Sequence, residues 1–224
     1  QGLAALGPEV IGKAPAGLFR QESRADFHAV VVPRIPDQVE HAAARVADLL
    51  EIDALLDEIG LPEVASGLQF QRPVQAPTSG VEAREQGETA ASAVREHFGI
   101  HGAIIDLYAF AEDSLGIDVV TEPLEGDCDG IVAIGEHVAF AVIDNSTETH
   151  VRQRFTLAHE CGHAILGDIP DGVRVDDRGL SDLVEERASW FAAALLMPAD
   201  DLNEVVGAIP TAHLLTLAML KFQV

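Results

Sequence analysis

The chain has 224 residues, of which 48% are hydrophobic and 23% charged, and these fractions are typical of a folded globular protein rather than a disordered one. Fourteen lysines and arginines stand against 37 acidic residues, and a formal charge of −23 argues against direct nucleic-acid binding, because affinity for phosphate needs clustered cations. No apolar run reaches the roughly 18 residues of a membrane-spanning helix. The chain has two cysteines, Cys128 and Cys161, and so few cysteines favour a reducing cytoplasm over a secreted protein with a disulfide framework.

The first third of the chain predicts an accessory α/β lobe followed by a linker. Residues 25–32 have the composition of a strand, and a capped helical pattern extends over 37–59. The stretch 69–80 contains two prolines and a glycine but few core residues, which is typical of a linker. We therefore predict an accessory lobe and linker over 1–76 and a second domain over 77–224.

The second domain is predicted to mix helices with short strands. Its elements are predicted, in chain order, as helices over 88–98 and 103–115, a strand over 117–121, a β-hairpin of 131–134 and 138–143, a helix over 150–166, a polar loop over 168–179 and a helix over 181–197. This order predicts an α+β domain in which a small twisted sheet covers one helix and the remainder is largely helical. Residues 81–224 also carry −18 of the net charge of −23.

One sequence motif indicates a metal-binding site. Residues 159–163 read H-E-C-G-H, which fits the pattern H-E-x-x-H inside an apolar helical stretch. Residues four apart on a helix differ by about 40° and about 6 Å of rise, so His159 and His163 project from one face and can bind one cation. Neutral imidazole is a good zinc ligand. Glu160 follows the first histidine and is suited to take a proton from the attacking water.

Two histidines do not complete a catalytic zinc site, which usually has three protein ligands and one open position. The metzincin extension fails, since Leu166 stands where glycine is needed and no histidine follows at the required spacing. Glu185 is the favoured third ligand, because it shares a helical face with Ala188 and other small residues that would let two helices lie close together. Glu186 shares a bulkier face with Trp190. The other open candidates are Asp168, Asp171, Asp176, Asp177 and Asp182.

The same residues resemble a known family. Residues 154–163, R-F-T-L-A-H-E-C-G-H, resemble the R-F-T-L-A-H-E-L-G-H signature of the ImmA/IrrE metallopeptidases, which are gluzincin-like, and residues 185–198 are similar to the family's later block E-x-x-A-N-x-F-A-A-x-L-L-M-P. The resemblance covers about 85–224 and implies a zincin-like domain with Glu185 as the third ligand. Cys161 replaces a leucine and Ser189 an asparagine; neither is expected to touch a ligand, and Cys161 is predicted to pack in the core.

The resemblance implies a zinc metalloendopeptidase in which His159, His163 and Glu185 hold Zn²⁺. Glu160 would be the general base that passes its proton to the leaving amine. Family members typically cleave a helix-turn-helix repressor or an antitoxin-like partner in stress or mobile-element circuits, so the expected partner is a protein substrate. The alternatives are a non-proteolytic zinc-binding sensor module of a transcription factor and a zinc hydrolase of small molecules. Some members carry a helix-turn-helix domain ahead of the peptidase, and a chain beginning at Gln1 is compatible with such a protein lacking that domain. The sequence leaves open whether a DNA-binding domain precedes Gln1, and it predicts no oligomeric state.

Overall fold

The computed structural model describes residues 44–46, 48–49, 51–52, 55, 68–124, 128–134, 138–146, 149–169, 172–173, 181–202 and 222. The strand predicted at 25–32 lies outside the described residues. Within the helix predicted over 37–59, the described residues are all helical. In this described part of the chain, no helix combines the length and the hydropathy needed to cross a membrane.

Three long helices make up most of the described structure, and we name them α1, α3 and α4. Their bounds are Gly80–His97, His150–Leu166 and Asp182–Leu196. Helix α1 begins eight residues before the predicted residue 88, because Ser79 caps it by accepting a hydrogen bond from the Glu82 backbone N–H. The Glu82 carboxylate in turn accepts hydrogen bonds from the backbone and hydroxyl of Thr78 at 2.8 and 2.7 Å. The predicted start was wrong because the exposed first half of α1 has little apolar periodicity.

A short helix, α2, lies between α1 and the sheet. It spans Leu107–Ala109 and continues as a π-helical turn over Phe110–Leu115. The Asp106 side chain caps it by accepting from Ala109 N at 3.0 Å, so it begins four residues after the predicted start at 103. It ends at Gly116, whose φ of +72° is a left-handed conformation that favours glycine.

The sheet has four strands in the order β1-β3-β2-β4. Their bounds are Asp118–Glu122 for β1, Gly130–Ile134 for β2, Ala139–Asp144 for β3 and Gly172–Val173 for β4. Strand β1 pairs in parallel with β3, whereas β2 is antiparallel to both β3 and β4. The predicted hairpin of β2 and β3 and the α+β class are therefore confirmed. Strand β4 was not predicted, because two residues within a polar loop carry no periodicity.

Both faces of the sheet are covered. Val132, Ala141 and Ile143 face the main core, which also contains the buried sides of α1, α3 and α4. Ile131 and its neighbours on the opposite face pack against Val46, which is fully buried in the first predicted helix. This alternation along the strands is the ordinary consequence of a period of two.

Residues 68–77, which we call the strap, are hydrogen-bonded to the core elements although residues 69–80 were predicted to be a linker. Leu68 and Phe70 pack against the core while partly buried, and residues 71–76 are exposed. The backbone N–H groups of Gln69, Arg72 and Val74 donate to the carbonyls of Leu115, Ile165 and Leu166 at 2.8, 2.8 and 3.2 Å. Two of these carbonyls, those of Ile165 and Leu166, belong to the last turn of α3, where the final carbonyls of a helix have no intrahelical partner. Composition could not predict this docking, because it depends on backbone donors rather than on side chains.

Two glycines allow α4 to lie close to both α1 and α3. A Cβ atom on Gly87 of α1 would lie 2.5 Å from the Arg187 carbonyl oxygen, and one on Gly162 of α3 would lie 2.9 Å from Phe191 Cδ1. Ala188 and Ala192 are fully buried on α4, as expected for a helix of small residues at a close contact. This packing brings the first turns of α4 beside the helix that carries the H-E-x-x-H motif.

Candidate metal centre

Helix α3 carries the motif and is held at both ends and in its middle. It begins after Thr149, whose hydroxyl accepts from Arg152 N, and it ends at Gly167, which has a φ of +74°. Near its middle the buried Arg154 donates to the carbonyls of Ile104 and Ile105 at 2.6 and 3.0 Å. The observed bounds, 150–166, are those predicted, and the motif lies on a rigid helix.

The structure brings the three predicted ligands together. His163 Nε2 lies 2.9 Å from His159 Nε2, and Glu185 Oε2 lies 3.2 Å from His159 Nε2 and 3.4 Å from His163 Nε2. In a tetrahedral zinc site with bonds of about 2.0–2.1 Å, two ligand atoms lie about 3.4 Å apart. The spacing of the three atoms therefore fits one zinc ion.

The tautomers that the neighbours favour also fit a cation. Asp168 Oδ2 lies 2.8 Å from His163 Nδ1, so this nitrogen donates its proton to the carboxylate and Nε2 keeps its lone pair. Ser189 Oγ lies 3.3 Å from His159 Nδ1 and can accept in the same way. Two imidazole lone pairs and a carboxylate then converge on one point, and a shared cation stabilises such a donor set.

Burial of the three side chains is uneven. The His163 side chain is fully buried, whereas those of His159 and Glu185 are 17% and 20% exposed. The site is therefore accessible to solvent on the side of His159 and Glu185, and His163 lies on its buried side.

Glu160 lies on the face of α3 that meets the sheet. It is buried, and a Cβ atom on Gly130 at the start of β2 would lie 3.4 Å from Glu160 Cγ and 2.6 Å from Thr156 Cγ2. Only glycine therefore allows β2 to lie so close to the helix at this residue.

Glu186 and Asp182 do not join the histidines, as the described residues show. Glu186 is exposed and accepts from Trp190 Nε1 at 3.4 Å, and its carboxylate lies near Gly80 of α1 instead of the histidines. Asp182 is exposed, while Asp171, Asp176 and Asp177 lie outside the described residues. Cys161 packs in the core as predicted; its burial, reinforced by the Glu160 carboxylate, raises the pKa of its thiol well above the usual range.

Two residues in contact with the histidines were missed by sequence reasoning. Asp168 was weighed only as a metal ligand, yet its carboxylate binds the outer nitrogen of His163. Ser189 was expected to touch no ligand, and this was wrong, because its hydroxyl is within reach of His159. Ser189 could have been found, since it lies four residues after Glu185 on the same helical face. Asp168 had no such signal, because it follows the end of α3.

Known proteins are similar in sequence to the part of the chain that carries this site. Residues 112–219 match the family profile Peptidase_M78, described as an IrrE N-terminal-like domain, and this range contains every residue of the site. The chain is 32% identical over 127 residues to the radiation response metalloprotease IrrE of Deinococcus deserti, across 52% of the chain and 43% of that relative. It is 37% identical over 98 residues to the protein of the same name from Deinococcus radiodurans, across 41% of the chain and 28% of that relative. The match thus spans less than half the length of either relative. The predicted resemblance to the ImmA/IrrE family is thus confirmed over residues 112–219.

Proposed function

We propose that the chain is a zinc-dependent metalloendopeptidase with a zincin-like active site. His159, His163 and Glu185 are the metal ligands and Glu160 is the general base. The proposal is supported above all by the convergence of two imidazole nitrogens and one carboxylate oxygen within 3.4 Å of one another. Two nitrogens and one oxygen form a donor set that suits zinc and that catalytic zinc sites use.

The chain's own residues supply the remaining chemistry. A bound zinc ion would act as a Lewis acid that polarises the scissile carbonyl and lowers the pKa of the attacking water. Glu160 takes the proton of that water and passes it to the leaving amine. The exposed edge at His159 and Glu185 admits the peptide, while the buried His163 anchors the site. The intact Glu160 supports hydrolysis over a sensor role, because a structural or sensing site needs no base.

The substrate we propose is a protein, specifically a basic DNA-binding repressor or an antitoxin-like partner in a stress or mobile-element circuit. The charge of −18 on residues 81–224 supports attraction of a basic partner. The names of both relatives refer to a radiation response. We propose the cytoplasm as the compartment, because a chain with only two cysteines lacks the disulfide framework typical of secreted proteins.

The proposal is tested by separating metal binding from hydrolysis. The zinc-loaded chain is incubated with the repressor encoded beside its gene, and cleavage and zinc content are measured for three variants. Glu160→Gln should keep zinc and lose cleavage, Glu185→Gln should lose both, and Glu186→Gln should keep both, because its side chain lies near α1. Cleavage by Glu160→Gln at the wild-type rate would refute the mechanism. Zinc binding without cleavage by the wild type would favour the sensor alternative.

A further inference from the structure

We infer that Arg187 is a positioning residue of the metal centre, which holds Asp168 against His163 and so connects that ligand to the strap and to α1. The inference rests on the proposed function in one respect, since it takes His163 to be a metal ligand. It concerns the affinity and orientation of the metal site, so its test does not depend on finding a substrate.

The chain of contacts is buried and leaves the Asp168 carboxylate little freedom. Arg187 Nη2 donates to Asp168 Oδ1, and Asp168 Oδ2 accepts from His163 Nδ1 at 2.8 Å. The side chains of Arg187 and Asp168 are only 1% and 4% exposed, and that of His163 is fully buried. Because each carboxylate oxygen has its own partner, rotation of Asp168 would break one hydrogen bond or both. The ring of His163 is therefore oriented by a carboxylate that is itself held in place.

The same guanidinium also binds two other segments. Arg187 Nη1 donates to the Gln75 carbonyl at 3.0 Å and to Gln86 Oε1 at 2.8 Å. Gln75 belongs to the strap and Gln86 to α1, so one side chain joins both to the loop that follows α3. A planar guanidinium can make these bonds in different directions, whereas a lysine ammonium could not reproduce the fork.

The two histidines are supported unequally, and this gives Arg187 its importance. The outer partner of His159 is the neutral hydroxyl of Ser189 at 3.3 Å, whereas that of His163 is a carboxylate paired with a cation. A carboxylate on the outer nitrogen fixes the tautomer and raises the basicity of the ligating nitrogen, and loss of such a partner typically lowers metal affinity about 10–100-fold. Without Arg187 the Asp168 carboxylate would be a buried charge without its cation, which favours movement of the carboxylate away from His163.

A general loss of stability has to be distinguished from loss of positioning, and Arg95 offers a matched control. Arg95 is also a buried arginine, and it donates to the carbonyls of Leu195 and Gly102 at 2.7 and 2.6 Å without contacting a proposed ligand. Arg95→Gln should therefore destabilise the fold as Arg187→Gln does, but leave the zinc site intact.

The test measures the zinc dissociation constant of the full chain by competition with a chromophoric chelator, under conditions where each variant is folded by circular dichroism. We expect Arg187→Gln and Asp168→Asn each to weaken zinc binding about 10–100-fold. The double variant should be little weaker than either single one, because both remove the same support. Arg187→Lys should recover part of the affinity, and Arg95→Gln should bind zinc as the wild type does.

Nitrogen-15 spectra of the histidine rings give a second readout. In the wild type the His163 Nδ1–H signal should show a strong hydrogen bond, and this signature should be lost in Arg187→Gln and retained in Arg95→Gln. Wild-type zinc affinity in Arg187→Gln, or an equal loss in Arg95→Gln, would overturn the inference. If Arg187→Gln does not fold, wild-type affinity in Asp168→Asn overturns it instead. If the variants change zinc affinity as expected but the wild type cleaves no protein, the proposed peptidase function is refuted and the positioning role of Arg187 is kept.

Discussion

Replacement of Gly87 by alanine is expected to disturb the metal centre from a distance. The new Cβ would lie 2.5 Å from the Arg187 carbonyl oxygen and 2.8 Å from the Phe191 backbone nitrogen, which is about 0.9 and 0.6 Å short of the 3.4 Å at which ordinary contact begins. Both atoms belong to the backbone of α4, so no side-chain rotation can relieve the clash and α4 must move away from α1. Since α4 also carries Glu185, this movement displaces a proposed ligand.

The expected change in the free energy of unfolding for Gly87→Ala is the difference between two opposing contributions. Overpacking of a tight interface costs about 1–3 kcal/mol, and the higher helix propensity of alanine returns at most about 1 kcal/mol. We therefore expect a net destabilisation of up to about 2 kcal/mol, and each kcal/mol lowers the melting temperature by roughly 2–4 °C for a chain of this size. Zinc affinity should fall with it.

Thermal unfolding followed by circular dichroism, with zinc titration of the folded protein, measures both effects. Gly80→Ala is the control on the same helix, because its Cβ would meet only the flexible end of Glu186 at 3.3 Å. It should be neutral or slightly stabilising. A Gly87→Ala protein as stable as the wild type, with unchanged zinc affinity, would show that the α1–α4 contact does not determine the position of Glu185.

Two further predictions concern residues next to the ligands. Ser189→Ala should weaken zinc binding less than Asp168→Asn does. The reason is that a neutral hydroxyl at 3.3 Å from His159 forms a weaker hydrogen bond than a carboxylate at 2.8 Å from His163. A chelator competition that ranks the two variants in the opposite order would contradict this prediction. Cys161 should not react with a thiol reagent in the native protein, because it is fully buried and the pKa of its thiol is raised, and rapid labelling without unfolding would refute its core position.

The parts of the fold that depend on short-range pattern could be predicted from the sequence. Helix α3 has its cap, its apolar periodicity and its terminal glycine within one continuous stretch, and its bounds were predicted to the residue. The hairpin of β2 and β3 is local in the same sense. The start of α1 also had a local signal, since Thr78, Ser79 and Glu82 form a reciprocal cap, but the exposed polar turns that follow it obscured the helix.

The residues of the candidate metal centre also differ in how well the sequence could predict them. His159, Glu160 and His163 are defined by spacing on one helix, so the sequence alone could group them. Glu185 required a judgement about which face of a second helix meets the first, and the small residues on that face indicated it. Asp168 and Arg187 could not be found in this way, because their contact joins the loop after α3 to α4, the strap and α1.

Helix α4 determines how these separate parts become one site. It carries Glu185 toward the histidines, Ser189 toward the outer nitrogen of His159, and Arg187 toward the carboxylate behind His163. Its own position depends on two glycines of other helices, Gly87 and Gly162. The ligand geometry is thus a consequence of helix packing as much as of the motif, and a chain that kept H-E-x-x-H but filled either glycine should bind zinc more weakly although every proposed ligand is present.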